Sequence, residues 1–146
     1  MISLGLFLLR LAVGSVYLLH GVPKLIGGEG SSAKLSEETQ AKLGEKFVAS
    51  MESGGVENTT KMLESIGVPN APAMAWLLTL TESLGGLALI LGWKTRWAAL
   101  GLSAVQTVAI SKVHAPQGAS GFELNAVLLA STGALALAGP GKIAID

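Results

Sequence analysis

The chain has 146 residues, half of them hydrophobic and only 14% charged, with a mean hydropathy of +0.56, where soluble domains carry about 25% charged residues. This composition belongs to a membrane protein, and the length suffices for one domain of about four apolar spans of 20 residues. Ten basic residues balance ten acidic ones and cysteine is absent, which excludes the basic footprint of a nucleic-acid binder, disulfides, CxxC chemistry, iron–sulfur ligation and covalent c-type haem.

The first predicted span runs from about Ile2 to Val22 and is interrupted only by Arg10 and His20. Charge inside the apolar run, with no A-x-A-like site after it, argues for a retained helix over a cleaved signal peptide. The stretch from Gly27 to Asn70 differs in kind: it holds Glu29, Glu37, Glu38, Glu45, Glu52, Glu57 and Glu64 against Lys34, Lys42, Lys46 and Lys61. Leu43, Phe47 and Met51 recur at helical spacing. Ser36 is placed to cap a helix from about Glu37 to Glu52, and Asn58 one from about Thr59 to Ser65 that Gly67 would end. A solvated cover over helix ends is the preferred reading of these amphipathic pieces; a partner-docking surface is the alternative.

After the turn sequence Gly67-Val68-Pro69-Asn70-Ala71-Pro72, a second span covers about Ala71 to Trp93, with Glu82 its only charge. The third, about Trp97 to Val113, carries no charge from Trp97 to Ser111, and the fourth runs from about Phe122 to Ala138, where Gly139-Pro140-Gly141 stops it. The expected architecture is all-α: a single domain, residues 1–146, forming a four-transmembrane-helix bundle with a long, partly helical extracytoplasmic loop, 27–70, between helices 1 and 2. A soluble bundle would need a polar stripe on each helix, which these spans lack. Small residues recur every fourth position at Ala99, Ser103, Thr107, Ser111 and at Ala130, Ala134, Ala138, a pattern that suits close helix packing in lipid. Lys94, Arg96 and Lys142 place the turn between spans two and three, and both termini, in the cytoplasm by the positive-inside rule.

Helical rise puts Arg10, Glu82 and Gln106 near the middle of the bilayer, where a lone charge costs at least a few kcal/mol and is usually paired. An Arg10–Glu82 ion pair with Gln106 as hydrogen-bonding neighbour is therefore expected, as structural glue first and as a proton or quinone site second. Arg10, Gly14, Tyr17, Gly21 and Lys24 share one face of span one. At the outer level of Lys24 arrive Lys112 and His114 from span three and Glu123 and Asn125 from span four. Tyr17, Lys24, His114, Glu123 and Asn125 are thus the candidate ligand or quinone site. His20 and His114, the only two histidines, raise two further readings: axial ligands of a b-type haem, or a metal site with Glu123. Bound hydrogen-bonded interfacial histidines are the plainer one. Gly141-Lys142 does not complete a P-loop, because Ala136 and Ile143 break the pattern. Asn58-Thr59-Thr60 matches a glycosylation acceptor, which has meaning only in a secretory eukaryotic setting.

The chain resembles the DoxX family of small four-helix membrane proteins. The resemblance is carried by Leu9-Arg10-Leu11 through His20-Gly21 to Lys24-Leu25, by Glu82-Ser83-Leu84-Gly85-Gly86 through Leu91-Gly92 to Thr95-Arg96, by His114 and Glu123-Leu124, and by Gly139-Pro140-Gly141-Lys142 with Asp146. The 27–70 insert is longer and more charged than the family pattern. The resemblance implies a prokaryotic plasma-membrane subunit linked to redox systems, as the related DoxD subunit of a thiosulfate:quinone oxidoreductase is. It implies lipid and other subunits of a membrane complex as partners, and it transfers no catalytic residue. Two function classes follow: a redox-linked subunit that contacts quinone, or an accessory subunit that packs against and stabilises a larger complex.

Overall fold

Seven α-helices, with short 3-10 and π turns between some of them, make up the regular structure of the computed structural model, which describes the backbone of residues 1–146 and all side chains except those of His114 and Ala115. In chain order they are α1 (Ile2–Ile26), α2 (Glu37–Leu43), α3 (Glu45–Glu52), α4 (Val56–Ser65), α5 (Ala71–Leu91), α6 (Thr95–Ala109) and α7 (Ala119–Ala138). Three of them, α1, α5 and α7, are long and apolar enough to cross a membrane. Of their most apolar stretches, 44% is buried in α5 but only 22% in α1 and 17% in α7. The protein thus leaves most of the apolar surface of α1 and α7 for lipid or another membrane helix.

The third expected span takes a different form. The α-helix stops at Ala109, and the backbone continues as a π turn over Ile110–His114, so the 17 residues from Trp97 to Val113 are not one uninterrupted α-helix. The first span, by contrast, runs beyond Val22 to Ile26, passing through Pro23.

Contacts divide the chain into two compact units, residues 1–18 with 84–146, and residues 19–83. The first is built around Val13, Tyr17, Leu89, Ala99, Leu102, Leu128 and Leu135. Within it α1 and α5 cross at glycines: a methyl group on Gly14 would stand 2.6 Å from the carbonyl oxygen of Gly86, and one on Gly86 would stand 2.8 Å from that of Gly14. Any larger residue would push the backbones apart. The end of α5 is a Schellman turn, with Gly92 at φ +73°, its N–H on Leu89 O and the N–H of Trp93 on Ala88 O.

The second unit has a smaller core of Leu63, Ala71 and Ala75, with Val56, Ile66, Val68 and Leu78 against it. Ser36 does cap a helix, its hydroxyl accepting from Thr39 N–H. The single helix expected from Glu37 to Glu52 is instead two, because Gly44 sits at φ +90° between α2 and α3. Nor is Asn58 a cap: α4 begins earlier, after Gly55 at φ +91°, and the Asn58 amide donates back to Gly54 O at 2.9 Å. Gly67, at φ +78°, closes α4 as expected. The carbonyl of Pro23 receives both Gly27 N–H and Gly55 N–H, at 2.8 and 2.9 Å, which ties the start of α4 to the end of α1.

Candidate functional site

Two polar arrangements stand out, one in each unit. In the first, the wholly buried Arg10 uses its fork on carbonyls: Nη1 donates to Leu89 O at 3.1 Å and Nη2 to Ile143 O. The guanidinium also lies over Phe7, 5.6 Å from the ring centroid, a cation–π distance. Around this contact the C-terminal segment is fastened along the α5–α6 turn. Ile145 N–H donates to Leu91 O and Asp146 N–H to Gly92 O, and the Asp146 carboxylate accepts from Thr95 N–H at 3.1 Å. A side chain on Gly92 would collide with Arg10 and Ala144. Hydrogen bonds from the Lys94 and Thr95 amides hold the Asp146 carboxyl below the usual carboxylate range.

Gln106, also buried, accepts from the Asn125 amide at 2.8 Å, and Ser103 meets Thr132 at 2.8 Å. These two bonds tie α6 to α7. Tyr17 is 1% exposed in the core, while Glu123 is exposed.

In the second unit the buried carboxylate of Glu82 is bound by Lys24 Nζ at 2.7 Å, with 5% and 31% of the two side chains exposed. Gly21 makes this possible. A methyl group there would lie 2.7 Å from Ser83 N, so its absence lets α1 meet α5 and delivers Lys24, one turn further on, to Glu82. Lys24 also borders a cleft of about 220 Å³ shared by His20, Ser50, Ser53, Asn58 and Thr59. The hydroxyls of Ser50, Ser53 and Thr59 donate to carbonyls four residues earlier in their own chain, so they offer lone pairs to the cleft. Lys24 offers N–H groups and positive charge.

The expected Arg10–Glu82 pair is therefore redistributed: Arg10 takes carbonyls, Glu82 takes Lys24, and Gln106 takes Asn125. Of the described candidate ligand residues Tyr17, Lys24, Glu123 and Asn125, Lys24 alone borders this cleft. The His114 side chain lies outside the described residues, and with it the His20–His114 haem and metal readings. Among the described residues no three His, Asp or Glu side chains are grouped to hold a metal ion. Depth estimates missed the carbonyl partners of Arg10, for which Gly92 beside the α5–α6 turn was the one available signal.

A family model described as DoxX matches residues 5–115, from the first turns of α1 to just past the π turn. Neither the comparison with curated proteins nor that with solved structures finds a match. The match covers most of the chain and includes Arg10, Lys24, Glu82 and the α5–α6 turn, and among the described residues the chain has three helices, α1, α5 and, beyond the match, α7, long and apolar enough to span a bilayer: the chain is a membrane protein that belongs to the DoxX family.

Proposed function

We propose that this protein is a small subunit of a redox-linked complex in a prokaryotic plasma membrane, a single four-span domain with both termini cytoplasmic and the 27–70 segment outside. The observation that carries the subunit reading is α7. It carries no charge from Leu124 to Ala138, and its small-residue stripe Ala130, Ala134, Ala138 is exposed together with Val127 and Leu137. Such a face suits close approach of a second membrane helix. Counting the π turn, residues 95–114 form 20 residues of helical backbone, about 30 Å at the α-helical rise, which supports a fourth crossing.

The quinone reading rests on the cleft beside Lys24. At about 220 Å³ it is smaller than the 300–1,000 Å³ of pockets for drug-sized ligands, so it fits a headgroup and leaves the isoprenoid tail to lipid. A quinone, when bound, supplies the carriage of two electrons and two protons. Lys24, held in place by its ion pair with Glu82, would donate to one ring oxygen, and the Ser50, Ser53 and Thr59 oxygens would accept from hydroxyls of the reduced form. The accessory reading is favoured by a different fact: Arg10, Gln106 and Asn125 are all committed to partners within the chain.

Purification from native membranes in mild detergent, with mass spectrometry of co-purifying proteins and extraction of bound quinone, tests both. A stable second membrane or redox protein supports the subunit, and a lone monomer that binds and turns over quinone defeats it. Quinone that is retained by the wild type and lost in Lys24→Met supports the contact. For topology, cysteine placed at Ser53 is expected to react with an impermeant thiol reagent in intact cells while one at Lys94 does not.

A further inference from the structure

The turn joining α5 to α6 concentrates two residue types that soluble surfaces keep apart. Trp93 and Trp97 are 54% and 74% exposed and flank Lys94 and Arg96, which are exposed too. The Schellman turn at Gly92 and the left-handed Lys94, φ +48°, fold the five residues 93–97 back within one turn of backbone. The C-terminal segment fastened beside them adds exposed Lys142, Ile143 and Ile145. Arg96 leans across to α7, its Nη1 donating to Ala136 O at 3.2 Å. The one carboxylate side chain in this cluster, Asp146, accepts from the Thr95 and Lys94 amides and attracts Lys94 through its charge, so three cations stand against one carboxylate side chain.

We infer that this turn is a docking site for the headgroup of an anionic phospholipid, with Lys94, Arg96 and Lys142 taking the phosphate charge and Trp93, Trp97, Ile143 and Ile145 seated among the upper acyl carbons. Exposed tryptophans belong at the level of the headgroups, where one edge of the ring is wet and the other apolar. Lysine and arginine beside them snorkel to the phosphates. Each cation near an anionic surface contributes an attraction equivalent to about a fivefold preference, and the preference falls with ionic strength. Lipid in the leaflet meeting this turn, and not free phosphate in solution, is the occupant, because the cations stand beside four exposed apolar anchors that a soluble anion would not use.

Tryptophan quenching by brominated lipid tests the inference on the full-length protein reconstituted in bilayers. Trp76→Phe removes the tryptophan near the start of α5 and leaves Trp93 and Trp97 as the reporters. In mixtures of phosphatidylglycerol and phosphatidylcholine with bromine on one or the other, phosphatidylglycerol is expected to quench as though bound at least fivefold more strongly, and less so at 1 M salt. In Lys94→Gln/Lys142→Gln, which leaves the Arg96 bond to Ala136 intact, the preference is expected to fall severalfold. Equal quenching by the two lipids in the parent protein, a preference for phosphatidylglycerol that survives both the double substitution and high salt, or displacement of the lipid by millimolar inorganic phosphate would each overturn it.

Discussion

In residues 1–18 and 84–146 a buried guanidinium is held by two backbone carbonyls, whereas in residues 19–83 a buried carboxylate is held by a lysine ammonium. The difference follows from what a helical backbone has to spare. Mid-helix N–H groups are all spent within the ladder, but each carbonyl keeps a second lone pair. A buried cation can therefore be satisfied by backbone alone, and arginine, with a rigid fork of donors, reaches two carbonyls that point from different segments. A buried anion needs donors, and inside an apolar helix those come from another side chain. Glu82 thus requires Lys24, whereas Arg10 makes its hydrogen bonds to carbonyls and meets an acid, Asp146, only through the attraction of charge.

Four substitutions break or sharpen that contrast. Arg10→Leu is expected to have the largest effect, a loss on the order of 3–5 kcal/mol as for other buried charged networks, read by SDS titration of the protein in mixed micelles. Arg10→Lys should recover less than half of it, because an ammonium lacks the fork; full recovery would mean that charge alone matters at this position. Lys24→Met leaves Glu82 buried without its cation, and because Lys24 is partly exposed the cost is smaller, about 1–3 kcal/mol. The double substitution Lys24→Met/Glu82→Leu should come back to within about 1 kcal/mol of the wild type, and no recovery would deny the pair.

Gly14→Ala is expected to cost about 1–3 kcal/mol by forcing α1 from α5. Gly133→Ala, where a methyl group would meet nothing within 4 Å, should instead be neutral or stabilising by up to about 1 kcal/mol. The smallest effect belongs to Asp146. Its folded-state carboxyl titrates below the unfolded one, so its contribution is complete above the ordinary carboxylate pKa of about 4 and fades as pH falls through the lowered value. Asp146→Asn should flatten that acid limb of the unfolding midpoint and leave the neutral range nearly unchanged.

Much of the architecture was legible in the sequence because apolar runs and helix stops are local signals. The spans at Ile2 and Ala71, the stop at Gly139 and the cap at Ser36 all follow from residues within a turn or two of the feature. What local pattern could not supply was partner choice. Depth placed Arg10 and Glu82 at similar levels but carries no rotation about the helix axis, and it counts only side chains, so the carbonyls of Leu89 and Ile143 were invisible to it. The breaks at Gly44 and Ala109 escaped for a related reason: helical spacing of Leu43, Phe47 and Met51 continues across a left-handed glycine, and an uncharged run reads the same whether its hydrogen bonds close α or π turns.

The contact between Arg10 and Ile143 joins positions 133 residues apart in the chain. On a ribosome adding roughly 5–20 residues per second, on the order of ten seconds separate the emergence of the guanidinium from that of its acceptor. During that interval α1 carries a charge with no permanent host, and it must wait near a headgroup, in the insertion machinery or against a nascent neighbour. Completion of this fold in the membrane then waits for the segment around Ile143 to be made, and a ribosome stalled before it would leave a helix that is inserted but unfinished and exposed to quality-control proteolysis.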